Sequence, residues 1–329
     1  TSAAWRTGGA SRPATPTRAR GAPFDSIPSM LPTDTLPRVA YFSMEIAVDP
    51  AIPGYSGGLG VLAGDTIRSA ADLGVPMVGV TLLYKNGYFT QVLDASGGQS
   101  EQGVRWTPGD RLQPVAPRVW VTVEGRRVWV RAWRALVSGV SGAVVPVYML
   151  DTDVPENSDE DRAITDALYA GDQRHRLSQE IVLGIGGVRM LRALGNYSLR
   201  RFHMNEGHAA LLTLELLREK ADALRAGGGD VAVREAVRQQ CVFTTHTPVA
   251  AGHDSFPADL ATRVLGRAAW FERDDLFLHD NHLHMTRLAL SMSRYVNAVA
   301  RRHAEVSRRL FPGSRIDAVT NGVHARTWV

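Results

Sequence analysis

The sequence predicts an α/β fold, with a parallel sheet flanked by helices and one antiparallel β insert. From Pro37 onward, short apolar runs alternate with longer helical patterns, as in parallel sheets covered by helices. Residues 115–150 instead alternate apolar and polar positions with the period of two typical of antiparallel strands. No linker divides 38–329, so we expect one large domain there. Residues 1–37, rich in Pro, Ser and Arg, predict a disordered leader.

Composition excludes several classes of protein. No apolar run approaches the roughly 18 residues that cross a bilayer, which excludes a membrane protein. The single cysteine, Cys241, excludes a disulfide scaffold and a thiolate zinc site, so we expect a cytoplasmic protein. A net charge of +4, without a basic patch interleaved with aromatic residues, argues against nucleic acid as a partner.

Up to residue 150, the elements are predicted from the periodicity of apolar residues and from residues that end helices or form turns. Residues 38–46 predict a strand, 61–73 a helix that Gly74 ends, and 75–83 the next strand. Within the insert, Glu124-Gly125 predicts a turn between two alternating runs.

The rest of the chain continues the alternation of helices and strands. The predicted elements are a helical stretch over 159–194 broken near Gly171, a strand over 200–204, a helix over 205–224, a glycine turn at 227–229, a strand over 241–245, a helix over 286–310 and a strand over 316–319.

A glycine run at 54–60 lies between the first predicted strand and helix. Backbone amides and the positive end of a helix dipole converge there, and the missing side chains at Gly57 and Gly58 let an anion approach. The run fits neither a dinucleotide fingerprint nor a P-loop. A phosphate seat and a tight turn that binds nothing are equally good interpretations.

The segment 203–208 (HMNEGH) lies where a strand is predicted to end and a helix to begin. Asn205 is a good helix N-cap, and His208 would lie above it on the same face. Polar side chains at the carboxyl ends of parallel strands line the crevice where such sheets bind ligands. The alternative is that Asn205 only caps the helix and that the histidines are structural, which we favour for His203.

Two further strand ends carry polar side chains. His246 follows the predicted strand 241–245 and is expected to face the same crevice as Asn205, although a buried structural histidine is the alternative. Asn321 follows the last strand in an Asn-Gly turn pair that by itself indicates little. The histidines at 279, 282 and 284 predict a surface turn rather than a metal site.

Together these residues describe a sugar-phosphate pocket better than a nucleophilic site. No G-x-S-x-G elbow is present, and Glu206 is the only clear strand-end acid, whereas a glycosidase needs two. Hydrolysis is therefore disfavoured.

Eight segments, in order, resemble the amino-terminal domain of the α-glucan (glycogen, starch or maltodextrin) phosphorylases, closest to the short bacterial and archaeal type. They are 40–45 (AYFSME), 55–64 (YSGGLGVLAG), 83–91 (LYKNGYFTQ), 176–180 (RLSQE), 203–208 (HMNEGH), 243–256 (FTTHTPVAAGHDSF), 296–305 (VNAVARRHAE) and 320–328 (TNGVHARTW).

The resemblance implies reversible phosphorolysis of α-1,4-glucan to α-glucose 1-phosphate. It implies the first Rossmann-like lobe of a two-lobed GT-B-type glycosyltransferase, commonly a homodimer. Pyridoxal phosphate would be held by a lysine of the second lobe, and its phosphate would act with the substrate phosphate in proton transfer.

The resemblance also assigns residues. Gly57, Gly58 and Leu59 match the glycine loop whose main chain faces the phosphate, and His246 matches the histidine at the glucosyl 6-position. Asn321 matches a sugar-binding asparagine near the domain hinge, and Asp172 a residue bordering the site. Asn205, Glu206 and His208 would form the crevice wall.

Two lysines limit what this chain is expected to do alone. Lys85 falls in a tight turn and Lys220 on a predicted exposed helix, so neither resembles the Schiff-base lysine, and we expect no cofactor-binding residue in this chain. The expectation is half an enzyme, with the second lobe absent and no turnover in isolation. The alternatives are a nucleotide-sugar glucosyltransferase of the starch-synthase type, in which a lysine precedes the glycines, and a non-catalytic glucan-binding domain.

Overall fold

The computed structural model describes residues 36–104, 106–224, 230–249, 252–266 and 278–329. The predicted leader, as far as residue 35, and the glycine turn at 227–229 lie outside the described residues.

The strands are short and distributed along the whole described chain. They are β1 (Val39–Ser43), β2 (Met77–Leu82), β3 (Thr90–Leu93), β4 (Gln99–Gln102), β5 (Gln113–Pro114), β6 (Val119–Val123), β7 (Arg126–Ser138), β8 (Val144–Asp151), β9 (Arg201–Asn205), β10 (Cys241–Thr245), β11 (Ser255–Pro257), β12 (Leu278–His279), β13 (His282–His284), β14 (Tyr295–Ala298) and β15 (Asp317–Ala318).

The helices fill most of the connections between strands. They are α1 (Gly58–Asp72), α2 (Asp159–Arg162), α3 (Gln173–Ile181), α4 (Gly187–Ala193), α5 (Leu212–Leu224), α6 (Asp230–Arg238), α7 (Ala258–Leu265), α8 (Met285–Ser291), α9 (Arg301–Leu310) and α10 (Ala325–Trp328). A π-helical turn, Val182–Gly186, joins α3 to α4.

The central sheet has the order β15-β14-β10-β9-β1-β2-β8-β7-β5, and β6 pairs with β7. Every pair from β15 to β8 is parallel, whereas β7 pairs antiparallel with β5, β6 and β8. The α/β fold with a mostly parallel sheet and an antiparallel insert is therefore confirmed. The predicted turn at Glu124-Gly125 is confirmed too, and both residues have positive φ.

The central parallel strands β1 and β2 are buried on both faces, as parallel sheets require. On β1, Phe42 packs into the larger hydrophobic cluster, whereas Tyr41 joins Ile67 of α1 in a second cluster on the other face. Gly79 of β2 allows this close packing, because a Cβ there would lie 3.3 Å from Ile67 Cδ1.

Two predicted helices are wrong. The helix predicted over 205–224 begins only at Leu212, because β9 extends through Asn205 and a single turn of 3₁₀ helix, Gly207–Ala209, follows. The helix predicted over 286–310 is interrupted by strand β14, which completes its backbone hydrogen bonds with β10 and β15. In both cases pairing with distant strands overrides a helical pattern in the local sequence.

The parallel arrangement brings several strand ends to one edge of the sheet. Ser43, Asn205, Thr245 and Ala298 are the last residues of the adjacent strands β1, β9, β10 and β14. Adjacent strands lie about 4.8 Å apart, so side chains following these ends can face one ligand. We refer to this edge as the crevice.

Candidate functional site

The glycine loop enters α1 with its main chain held by a buried carboxylate. Helix α1 begins at Gly58, with Gly57 as an extended N-cap residue that provides no side-chain cap. The amides of Ser56 and Gly57 donate to Glu45 Oε2 at 2.7 and 3.2 Å. The amide of Gly57, which we predicted to face phosphate, is therefore occupied by Glu45 instead.

The space over the first turn of α1 is open. A Cβ built on Gly57 or Gly58 would meet no atom within 4 Å, whereas a Cβ on Gly60 would lie 2.4 Å from Tyr55 Cβ and 2.8 Å from Glu45 Oε2. First-turn amides of a helix have no acceptor within that helix, and the helix dipole favours an anion there. The glycines thus have two roles: Gly60 permits close packing, and Gly58 leaves the amides of the first turn accessible.

The segment 169–173 is anchored to this loop. Tyr169, which has a φ of +58°, donates its hydroxyl to Glu45 Oε1 at 2.6 Å. The guanidinium of Arg176 lies 4.6 Å from the centroid of the Tyr169 ring. Asp172 is the N-cap of α3, accepting a hydrogen bond from the His175 amide at 2.9 Å. Asp172 therefore has a structural role at the start of α3.

A chain of hydrogen bonds links His246 to the end of β1. His246 Nε2 lies 2.6 Å from Asn205 Oδ1, Asn205 Nδ2 donates to Ser43 Oγ at 3.0 Å, and Ser43 donates to the Glu45 carbonyl at 2.7 Å. Because the Asn205 amide donates toward Ser43, its oxygen accepts from His246, so Nε2 carries the proton. Burial lowers the pKa of His246 to about 4, so the ring is neutral.

Asn205 therefore acts through its side chain in a strand, and its predicted role as a helix cap is wrong. Likewise, His208 lies in the 3₁₀ turn rather than one helical turn above Asn205. The structure does place Asn205 beside His246, as expected for neighbouring parallel strand ends.

Glu206 organises the loop that carries His246. Its Oε2 accepts from the amides of His246 and Thr247 and from the Thr247 hydroxyl at 2.7, 3.0 and 3.0 Å, and its Oε1 accepts from the Gly207 amide at 3.1 Å. The residue has a φ of +72° and is 4% exposed. Burial raises the pKa of Glu206, and these hydrogen bonds oppose the rise.

His208 belongs to a largely buried cluster of ionisable side chains with Arg176, Glu180 and Asp254. Asp254 Oδ2 lies 3.0 Å from Arg176 Nε and 3.4 Å from His208 Nε2. Burial and the nearby Arg176 lower the pKa of His208 to about 3, so His208 is neutral. Burial and the negative charge of Asp254 raise the pKa of Glu180 well above its usual value. His208 is thus held within this cluster.

His203 has the structural role that we favoured. Its Nε2 lies 2.8 Å from Thr244 Oγ1, and Thr244 donates to Asn297 Oδ1 at 3.0 Å. The network crosses β9, β10 and β14 inside the sheet. Burial lowers the pKa of His203 to about 4.

The lowered pKa of the partly buried His203 predicts an acid-dependent loss of stability. Between pH 6.5 and about 4 the unfolded chain binds a proton at His203 that the folded chain does not, so the free energy of unfolding falls as pH falls. The expected contribution is about 1.4 kcal/mol per pH unit, which His203→Gln should remove. Urea unfolding at pH 6.5, 5.5 and 4.5 gives the change of the free energy of unfolding with pH for wild type and for His203→Gln. The control variant is His279→Gln, which replaces a surface histidine and should keep the wild-type slope. Equal slopes for wild type and His203→Gln would contradict the prediction.

Asn321 lies at the same edge but farther along the sheet. Its amide donates to the Val299 carbonyl at 3.0 Å, which fixes it beyond β14 and β15, and its side chain is exposed. The following segment is bound to α1: Trp328 Nε1 donates to Asp65 at 2.8 Å, and His324 Nε2 lies 3.1 Å from Asp72.

The lysines do not fit a Schiff-base site. Lys85 is exposed, with Nζ 3.1 Å from Asp153, and Lys220 lies on α5. Among the described residues, neither lysine hydrogen-bonds to His246, Asn205 or Glu206. The same part of the chain contains no group of three or more metal-ligating side chains. In the described ranges, no helix is long and apolar enough to cross a membrane.

Sequence reasoning missed Glu45 and Tyr169 as organising residues of the site. Glu45 lies in the segment AYFSME that carried the resemblance, so that signal was available. Its contact with Tyr169 joins residues far apart in the sequence, and no local pattern indicates it.

The fold and the crevice define a class: an α/β protein whose parallel sheet has, at its carboxyl edge, an open helix N-terminus and neutral hydrogen-bonding side chains. No protein-family model matches the chain. Curated relatives do. The chain is 39% identical to maltodextrin phosphorylase of Thermococcus litoralis, over 88% of this chain and 36% of the relative.

Two further relatives are glycogen phosphorylases. Identity is 39% with that of Mycobacterium tuberculosis, covering 88% of this chain and 37% of the relative, and 31% with that of Aquifex aeolicus, covering 88% and 44%. The chain belongs to the α-glucan phosphorylase family. It spans less than half the length of these relatives.

Proposed function

We propose that this chain supplies the glucan- and phosphate-facing half of a glucan phosphorylase, which catalyses reversible phosphorolysis of α-1,4-glucan to α-glucose 1-phosphate. In this proposal residues 38–329 are the first lobe of a GT-B-type glycosyltransferase. The observation that carries it is the open first turn of α1 together with neutral His246, both at one edge of the sheet.

In this proposal, different residues bind the phosphate and the sugar. The amides of Gly58 and Leu59 and the dipole of α1 stabilise an oxyanion without a protein cation. Because His246 Nε2 is committed to Asn205, its Nδ1 is the acceptor available to a sugar hydroxyl. Glu206 and Asn205 fix the position of this ring, and Asn321 would approach the sugar from the other side of the crevice.

Pyridoxal phosphate does not fit the lysines of this chain. We infer that residues outside this sequence hold the cofactor, which supplies a phosphate group for proton transfer when bound. The partners in this proposal are α-1,4-glucan, phosphate and glucose 1-phosphate, with a homodimer as the assembled enzyme and the cytoplasm as its location.

Calorimetry of the 329-residue chain tests the proposal directly. We expect weak binding of maltoheptaose in phosphate buffer, no binding of ADP-glucose, and no release of glucose 1-phosphate. His246→Ala should weaken maltoheptaose binding by about tenfold, the effect of one lost hydrogen-bonding contact of about 1.4 kcal/mol.

The matched control is His279→Ala, which removes a surface histidine outside the crevice and should leave maltoheptaose binding unchanged. Binding of ADP-glucose in preference to maltoheptaose would contradict the substrate assignment. Glucose 1-phosphate formed by the pure chain would contradict the conclusion that catalysis needs groups from elsewhere.

A further inference from the structure

A second cavity, of about 770 Å³, opens at the opposite edge of the sheet. Its wall includes Tyr295 and Asp317, the first residues of β14 and β15, whereas the crevice follows the last residues of the parallel strands. The cavity and the crevice are therefore separated by the length of the sheet, and a ligand in one does not contact the other.

The described lining of this cavity is strongly basic. Four arginines contribute to it, Arg238, Arg287, Arg294 and Arg315, against Asp317 as the only acid among the described lining residues. Arg238 is paired with Glu235 at 2.7 Å. Within the described ranges Arg294 and Arg315 have no carboxylate partner, and both are exposed. Arg287 likewise has no carboxylate partner among the described residues, so three guanidinium groups of the lining are unpaired within this part of the chain, and Arg294 and Arg315 are the exposed ones.

Polar atoms in the wall also lack partners. Ser293 is 4% exposed and lines the cavity, yet its Oγ has no hydrogen-bond partner in the described structure. His284 Nδ1, in the same wall, is buried and unpaired in the same way. A buried polar group left without a partner costs about 1–3 kcal/mol, so the described residues do not fully satisfy the polar groups of this wall.

One part of the wall is aromatic. Tyr295 is 38% exposed, and the ring of Phe311 backs the cavity with Arg287 lying 5.7 Å from its centroid. The volume exceeds that of a single phosphate ion, so the cavity has room for a ring attached to an anion.

We propose that this cavity is a second anion site that binds a phosphate group, free or carried by a small organic molecule, and that it is distinct from the crevice. The planar guanidinium fork matches phosphate geometry and can bind it through two hydrogen bonds at once. Arg294 and Arg315 supply the charge.

The test is calorimetric titration of the 329-residue chain with inorganic phosphate and with phenyl phosphate. The double variant Arg294→Gln/Arg315→Gln should weaken binding by at least tenfold. The control Arg111→Gln/Arg309→Gln makes the same change in charge at two exposed arginines outside the cavity, and should alter the affinity by less than twofold. Both double variants change exposed side chains, so folding should be retained, which circular dichroism checks.

The two probes identify the source of the phosphate. Phenyl phosphate binding more tightly than inorganic phosphate supports an organic phosphate that packs on Tyr295, and equal affinities support free phosphate. The proposal is overturned if neither probe binds, if Arg294→Gln/Arg315→Gln binds as wild type does, or if the control loses as much affinity as the cavity variant.

Discussion

Glu206→Ala should lower the free energy of unfolding by about 3–5 kcal/mol, because it removes the acceptor of four hydrogen bonds at a buried position. The same substitution would remove the hydrogen bonds that hold the loop at His246 and Thr247 in place. Glu206→Gln keeps the shape but turns an NH₂ group toward the donors, and should cost about 2 kcal/mol. Urea unfolding followed by circular dichroism at pH 7 measures both.

The control for this prediction is Glu305→Ala, on the exposed face of α9. Glu305 is exposed and pairs with Arg302 at the surface, so its loss should change stability by less than about 0.5 kcal/mol. If Glu206→Ala were within 1 kcal/mol of Glu305→Ala, the anchoring role of Glu206 would be wrong.

Gly60→Ala and Gly58→Ala should have opposite effects on stability. A methyl group at Gly60 would collide with Tyr55 and Glu45, and moving these groups apart should cost about 2–3 kcal/mol. A methyl group at Gly58 meets open space at the start of a helix, so the variant should gain up to about 1 kcal/mol from helix propensity.

The two glycine variants are matched controls for each other, since both add one methyl group within the first turn of α1. Thermal and urea unfolding of the pair give the difference directly. Equal stabilities would mean that the close approach of Tyr55 to Gly60 does not constrain the loop.

The sequence predicts the sheet well wherever strands are apolar and bounded by turn residues. Strand β10 was predicted at its observed bounds, and the hairpin of β6 and β7 turns where Glu124-Gly125 indicated. These features depend on local period and local turn chemistry. The sequence contains both kinds of information without reference to distant residues.

The errors have a common physical origin. Asn205 was assigned to a helix because Asn is a good N-cap, but its side chain bonds Ser43 and His246, which belong to two other strands. The pattern over 286–310 has helical spacing, and strand β14 forms within it because β10 and β15 offer pairing partners. Partners that are distant in sequence determined both outcomes.

The candidate site divides in the same way. The glycine loop and His246 follow strand ends. In any parallel sheet, residues at the carboxyl ends of the strands are candidates for ligand binding, and this can be applied without knowing side-chain contacts. Glu45 and Tyr169 were missed as site residues because their roles exist only through contacts across the fold. Sequence reasoning thus located the crevice, and the structure was needed to find what keeps it in shape.

The contacts of Trp328 with Asp65 and of His324 with Asp72 have a mechanical consequence. They connect the segment after Asn321 to the middle and the end of α1, the helix whose first turn is open to an anion. Because both contacts are made with α1, a rotation of residues 324–328 that kept them would also move α1 and the backbone amides near Gly58. Displacement of Asn321 and reorientation of the α1 amides are expected to occur together.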